Sequence, residues 1–280
     1  TRSDRDWSSD VCSSDLDTEQ IKSHGLTPDI VAQQLADFVR GFPYANITRP
    51  ATVGDGITEL SDPDIARYTE KYIAAQKTKK IVKFVPASGA ATRMFRDLFE
   101  FLNTGAENDT TRRVLDNLDK FAFWDDLRQF LPATPTDRDK IACILTDAGL
   151  NYGNLPKGLI AFHKYDTYSR TALEEHLAEG AQYATANGTV HIHFTVSPEH
   201  LAGFRALLAR TVPEYSARYG VNYDITMSNQ RTSTDTIAVN PDNTPFRTDD
   251  GHLLFRPAGH GALIENLNDI DADIVFIKNI

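Results

Sequence analysis

Hydrophobic residues are spaced along this chain with two different periods, and the two periods predict different elements. Ile81 to Val85 is a short, mostly apolar run of the kind found in a strand that is buried on both faces. From Thr189 to Val196 every second residue is apolar, which predicts a strand with one buried face. Three further strands are predicted at Val221 to Met227, Leu253 to Phe255 and Ile274 to Ile277.

Helices are predicted before and between these strands. Most of them begin at a Ser, Thr or Pro and continue with apolar residues every three or four positions. The predicted starts are Thr27-Pro28, Ser61, Thr171 and Ser197-Pro198, and a further helix follows the first strand from Phe95 to Leu102. Because strands alternate with helices, the predicted fold class is α/β, with a mostly parallel, Rossmann-like sheet and helices on both of its faces.

The composition divides the chain into stretches of different character. Residues 1–16 resemble a translated sequencing adapter, so they are left out of the fold prediction. Residues 17–80 are predicted to form an N-terminal helical region, and residues 81–280 the α/β domain. Within that domain, residues from about 104 to 150 carry apolar and aromatic side chains at helical spacing, which predicts a helical insertion with a buried face.

Charge and cysteine content restrict which binding partners and which cellular compartment are expected. The formal net charge of −10 argues against nucleic acid as a partner, so any phosphate binding must depend on a few focused cations. Cys12 belongs to the excluded stretch, which leaves Cys143 alone in an apolar helix, where it is expected to be part of the core. These features predict a cytoplasmic protein that does not insert into a membrane.

The turn after the first strand carries the most informative chemistry. Its small residues let a phosphate approach the backbone closely, the helix that follows offers free N–H groups, and an arginine adds a forked cation. The residues alone leave two interpretations open, an anion site or a tight turn that serves only packing. The predicted anion site comprises Ala87, Ser88, Gly89, Ala90, Ala91, Thr92 and Arg93.

This turn resembles the nucleotidyltransferase signature L-A-G-G-x-G-T-R-L. Ser88 and Ala91 stand where the signature has glycine, so both must avoid left-handed backbone angles or carry strain. The segment Leu155 to Gly158 resembles the Pro-Lys element that gives these enzymes a second phosphate-binding cation, here Lys157. In the family that lysine follows the loop closely, so the longer interval here is consistent with the helical insertion. The positions that match the signature are Ala87, Gly89, Thr92 and Arg93.

The last third of the chain resembles the uridine-recognising half of UDP-sugar pyrophosphorylases. The resemblance rests on Asn229-Gln230 and on the stretch from Leu253 to Gly261. It implies that the Gln230 amide reads the base and that Gly259, His260 and Gly261 cradle it. From Ile81 to Ile280 the chain is similar to an uncharacterised family of nucleotidyltransferase-like proteins related to the UDP-N-acetylglucosamine type of these enzymes.

The resemblance implies a reaction in which a sugar 1-phosphate attacks the α-phosphorus of a nucleoside triphosphate, with UTP favoured, and releases pyrophosphate. Arg93 would hold the leaving phosphates and Lys157 the attacking phosphate, with Mg²⁺ bridging the phosphates. By the same resemblance the aspartate that holds Mg²⁺ falls just past Ile280, so this chain is expected to be an inactive fragment. Arg93, Lys157, Gln230 and the Gly259–Gly261 turn are expected to border one pocket.

Two other functions compete with this one. The glycines missing from the loop suggest a nucleotide-binding protein without catalysis. His191 and His193 lie two residues apart on one strand face, so they could hold a metal ion with His163 or His176 and form a metal-dependent hydrolase. Paired histidines without a matching carboxylate more often hydrogen-bond along a sheet. The stretch Glu174 to His176 beside Arg170 is predicted to be a solvated helix face. The sequence leaves the sugar and the oligomeric state open.

Overall fold

The structure, a computed structural model, describes residues 15–89 and 91–280, with His260 described by its backbone alone. The chain is a mixed α/β protein, as its pattern predicted. The helices of the described part are α1 Asp15–Ser23, α2 Pro28–Arg40, α3 Asp62–Ala75, α4 Arg96–Thr104, α5 Asp109–Leu115, α6 Trp124–Leu127, α7 Asp137–Leu145, α8 Ala172–Tyr183, α9 Leu201–Tyr219 and α10 Ile264–Asn268.

Most strands of the described part are short. They are β1 Thr52–Val53, β2 Gly56–Ile57, β3 Ile81–Pro86, β4 Ala161–Lys164, β5 Ser169–Thr171, β6 Thr185–Ala186, β7 Thr189–Thr195, β8 Asn222–Ser228, β9 Thr236–Ile237, β10 Phe255–Arg256 and β11 Ile274–Ile277. Contacts divide the chain into two compact units. One unit comprises residues 1–71 and 230–265, and the other comprises residues 72–229 and 266–280.

The main sheet belongs to the second unit and has five strands. β3 pairs in parallel with β11 on one side and with β7 on the other, and β8 pairs in parallel with β7. The short strand β6 pairs with β7 in the antiparallel direction. The prediction that Ile81 to Val85 forms a central parallel strand is therefore confirmed.

One face of this sheet packs on α8 and α9. Val190, Ile192 and Phe194 point to this face, as their alternation predicted, and they form a core with Leu177 and Phe204. α8 begins with a capping box in which Thr171 and Glu174 exchange hydrogen bonds, which confirms the predicted start. The helix predicted to start at Ser197-Pro198 begins with a 3₁₀ turn, Pro198–His200, and α9 follows it and continues to Tyr219.

The predicted helical insertion has a core of its own. α4, α5 and α7 pack around buried side chains that include Leu98, Leu115 and Ile144. Cys143 is buried in this cluster and is a free thiol, in agreement with its predicted place in the core. Cys12 lies outside the described residues.

The other unit combines the N-terminal helices with a late part of the chain. Val31 and Leu35 of α2 are buried against Ile237 and Leu253. The sequence analysis assigned residues 230–265 to the α/β domain, whereas the contacts group them with residues 1–71. β10, which overlaps the strand predicted at Leu253 to Phe255, accordingly pairs with β9 and not with the main sheet.

Candidate functional site

The loop after β3 begins at the carboxyl end of the parallel sheet. The backbone N–H of Ala87 donates to the carbonyl oxygen of Thr195 at the end of β7, 2.9 Å away. Ala87 and Ala91 are both buried, and they pack into two different hydrophobic clusters. Their side chains therefore anchor the loop, so only their backbone atoms could contact a phosphate.

The rest of the loop is accessible. Gly89, Thr92 and Arg93 are exposed, and Ser88 is half-buried. Over residues 15–89 and 91–280, the backbone N–H groups of these four residues donate no hydrogen bond. Ala90, the remaining residue of the predicted anion site, lies outside the described residues. Free N–H groups just before the first turn of α4 suit a bound phosphate.

The described residues of the loop avoid the left-handed backbone region. Ser88 and Ala91 have no positive φ, so both avoid the left-handed region, as the sequence required. Gly89 also has no positive φ, and a Cβ added to it would meet no heavy atom within 4 Å. Glycine is therefore not required at this position by the fold. The open space around Gly89 leaves room for a ligand to reach the backbone.

The segment around Lys157 lies directly against this loop. The backbone N–H of Lys157 donates to the carbonyl oxygen of Gly89 over 3.3 Å. Lys157 begins a short 3₁₀ turn, and the next residue, Gly158, lies so close to Phe204 that an added Cβ would be 2.7 Å from the ring. This close packing fixes the backbone that carries Lys157. The insertion thus separates the two predicted phosphate-binding segments in sequence but not in space.

Two cations of this region are free to bind an anion. Within the described ranges, the side chains of Arg93 and Lys157 form no ion pair and no hydrogen bond. Arg96, three residues after Arg93, instead pairs with Asp97, with 3.2 Å between Nε and Oδ1. A guanidinium, an ammonium and unpaired backbone N–H groups are the kinds of group that bind an anion.

Gln230 and the predicted base-binding turn are neighbours within the other unit. The Gln230 Nε2 donates to the carbonyl oxygen of Ala258, 3.2 Å away, and also lies 3.4 Å from the Thr234 hydroxyl. A Cβ on Gly259 or on Gly261 would meet no heavy atom within 4 Å. His260 lies in this turn, at the start of a 3₁₀ segment. The amide donor of Gln230 is thus engaged, so reading a base through it requires these bonds to be exchanged.

His191 and His193 hydrogen-bond across the sheet to β8. His191 Nδ1 lies 2.9 Å from Asp224 Oδ2, and His193 lies 2.8 Å from both the Thr226 and Ser228 hydroxyls. The two further histidines considered as metal ligands lie elsewhere, His163 on β4 and His176 on α8. The described residues contain no group of three His, Cys, Asp or Glu side chains that could hold a metal ion.

The prediction that Glu174 to His176, beside Arg170, form a solvated helix face is wrong. Arg170 and His176 are only 5% and 6% exposed. The Arg170 guanidinium pairs with Glu175 at 3.1 Å and lies over the rings of Tyr165, Tyr168 and Tyr215. Burial and the Lys83 charge lower the pKa of His176 to about 4, so this ring is neutral at pH 7. Charged residues are buried here because aromatic rings and ion pairs compensate for lost water.

An ion-pair cluster around the buried Lys83 of β3 was not predicted from the sequence. Lys83 is 0% exposed, and its Nζ lies 2.9 Å from Glu179 Oε2 of α8. Lys278, just after β11, pairs with the other oxygen of Glu179 at 2.5 Å. Burial lowers the pKa of Lys83 to about 8; burial alone would raise that of Glu179, but the two lysines outweigh it and hold it at about 2. A lysine in the middle of an apolar strand was the available signal.

Comparison with known proteins identifies a family but no activity. No curated protein and no solved structure matches the chain. Within the part of the chain that the structure describes, no helix is long and apolar enough to cross a membrane. The profile of a domain of unknown function, DUF4301, matches residues 14–280, and the chain therefore belongs to the DUF4301 family.

Proposed function

We propose that this protein is a nucleotidyltransferase that joins a sugar 1-phosphate to a nucleoside triphosphate, with UTP favoured, and releases pyrophosphate. One observation carries the proposal: the hydrogen bond from Lys157 N–H to the Gly89 carbonyl oxygen. It brings together two segments that were assigned to phosphate binding separately. A turn that served only packing would have no need for a second cation at this place.

The strand order adds support. The parallel strands lie in the order β8-β7-β3-β11. If these four strands are numbered 1 to 4 as they occur along the chain, their order in the sheet is 3-2-1-4. The same order begins the doubly wound, Rossmann-like sheet, in which ligands bind outside the carboxyl ends of the strands where the order reverses. Here that position is next to β3 and β11, and the loop from Ala87 to Arg93 leaves the sheet from β3. We therefore assign the sheet to the nucleotidyltransferase type.

The proposed chemistry is positioning and charge neutralisation. The free N–H groups of the loop and the Arg93 guanidinium hold the β- and γ-phosphates of the leaving group. Lys157 holds the attacking phosphate and an oxygen of the α-phosphoryl group. Mg²⁺ is proposed as a cofactor; since no group of three ligating side chains is found among the described residues, no step is assigned to it.

The sharpest test measures pyrophosphate release from UTP by the protein in the presence of different sugar 1-phosphates. Arg93→Ala should lower kcat/KM at least tenfold, because a charge-assisted bidentate contact is worth roughly 1.5–3 kcal/mol. Arg93→Lys should restore only part of the activity, since an ammonium cannot form the fork. Arg96→Ala is the matched control, because it removes an equal charge from an 82% exposed side chain.

Turnover that is equal in Arg93→Ala and Arg96→Ala would show that Arg93 does not touch the reacting phosphates. UTP binding without turnover, whichever sugar phosphate is added, would instead identify a nucleotide-binding protein. That outcome would trace to the positions where Ser88 and Ala91 replace glycine.

A further inference from the structure

The face of the main sheet opposite α8 and α9 is unusually polar. His191 and His193 of β7 point to this face, as do Asp224, Thr226 and Ser228 of β8, and they lie side by side in register. A parallel sheet covered on both faces normally has apolar side chains on each. Here the polar stripe instead lines a cavity of about 340 Å³, a volume suited to a small ligand.

The stripe is held rigid by a hydrogen-bond chain. His193 bonds to the Thr226 hydroxyl through Nδ1 and to the Ser228 hydroxyl through Nε2. Asn266 Nδ2 donates to the same Ser228 hydroxyl over 2.8 Å and to the carbonyl oxygen of Asn229 over 2.9 Å. Burial lowers the pKa of His193, so this ring is neutral at pH 7 and one of its nitrogens accepts a hydrogen bond. The polar groups are thus positioned before any ligand arrives.

Acceptors remain unused at the cavity wall. Asn266 is 2% exposed, and its Oδ1 has no hydrogen-bond partner in the described part of the chain. Asp224 uses one oxygen for His191, and its side chain is 59% exposed. An amide oxygen and a carboxylate beside hydroxyl groups complement a ligand that carries several O–H donors. They disfavour an anion, because Lys80, the only lysine or arginine among the described lining residues, is paired with Asp271 at 3.0 Å.

We propose that this cavity is a sugar-binding site in which ligand hydroxyl groups donate to Asp224 and Asn266. Ser228 lies at the carboxyl end of β8, two strands away from β3, which corresponds to roughly 10 Å. The site is therefore near the phosphate loop but is built from other residues. It goes beyond the proposed function, because it binds a sugar without a nucleotide.

The test is saturation-transfer NMR on the full chain with glucose and glucose 1-phosphate as probes and inorganic phosphate as a competitor. Ring protons of both sugars should receive saturation from the wild-type protein. Asp224→Ala and Asn266→Leu should each weaken glucose binding at least tenfold. Asp147→Ala, which removes an exposed carboxylate outside the cavity, is the matched control and should leave binding unchanged. Thermal melting of each variant separates lost binding from lost folding.

The outcome also distinguishes this site from the phosphate loop. Glucose binding that survives in Arg93→Ala but is lost in Asp224→Ala and Asn266→Leu supports the cavity, whatever happens to nucleotide binding. Should Asn266→Leu fail to fold, Asp224→Ala decides, since this residue is at the exposed side of the stripe. Binding of glucose 1-phosphate alone, abolished only by Arg93→Ala, would overturn the cavity while leaving the proposed function intact. No saturation of either sugar would also overturn it.

Discussion

Replacing Gly89 by alanine should move stability and ligand binding in opposite directions. The added Cβ meets no heavy atom within 4 Å, and the backbone at Gly89 has no positive φ. At such a compatible position, glycine to alanine stabilises a protein by about 0.4–1 kcal/mol, because the unfolded chain loses conformational freedom. For a domain of this size the melting temperature should therefore rise by roughly 1–4 °C.

The same methyl group should weaken nucleotide binding. If the open space around Gly89 is where phosphate oxygens approach the loop, the methyl group displaces them from one or two backbone N–H groups. Each hydrogen bond to a charged group contributes about 1.5–3 kcal/mol. The loss of one such bond should therefore lower UTP affinity by a factor of about ten to more than a hundred. A stabilised protein that binds its ligand less well is the expected result.

Differential scanning calorimetry and isothermal titration with UTP measure the two effects. Gly188→Ala is a matched control, because Gly188 also has open space around it but a φ of +75°. That variant should lose stability and keep its UTP affinity, which is the reverse pattern. A Gly89→Ala protein that is stabilised and binds UTP as tightly as wild type would refute the argument. The loop would then be a packing turn.

Two other changes test separate parts of the account. Glu179→Gln should destabilise the protein by about 3 kcal/mol at pH 7, because the pKa of Glu179 is about 2 instead of the usual 4.5. This lowered pKa stabilises the folded protein above pH 4.5, and the stabilisation is lost as the pH falls towards 2. Urea unfolding at several pH values should show this loss for the wild-type protein and not for the variant. Gly158→Ala should cost about 1–3 kcal/mol, measured by the same unfolding, because its Cβ would lie 2.7 Å from Phe204; an unchanged midpoint would contradict the close packing.

Local patterns predicted the elements well where tertiary contacts agree with them. The alternation from Thr189 to Val196 correctly indicated the buried face of β7, and the pair Thr171 and Glu174 correctly indicated the start of α8. The predicted apolar face of α3 does not behave this way, since Ile65 and Tyr68 are about half exposed. Periodicity shows that a face is apolar but not whether another element covers it.

Contacts between distant segments were the harder part of the prediction. Arg170 and Glu175 have the composition of a solvated surface, yet four tyrosines surround the guanidinium, and two of them, Tyr215 and Tyr219, come from the distant helix α9. Lys83 is tolerated inside β3 only because α8 supplies Glu179. Lys157 was expected near the loop only because two motifs resemble those of one family, and the structure places it next to Gly89. Local sequence patterns do not predict how a long insertion folds back. Such pairings depend on tertiary packing, which a single sequence does not display.

The most direct test of the central claim is a double-mutant cycle on UTP affinity. Isothermal titration would compare the wild-type protein with Arg93→Ala, Lys157→Ala and the double variant, and Arg96→Ala and Lys164→Ala would control for the loss of charge alone. If both cations hold one triphosphate, each single substitution at the site weakens binding at least tenfold, the controls change it little, and the two effects are not additive. UTP affinity that is the same in the site variants and in the controls would contradict the account.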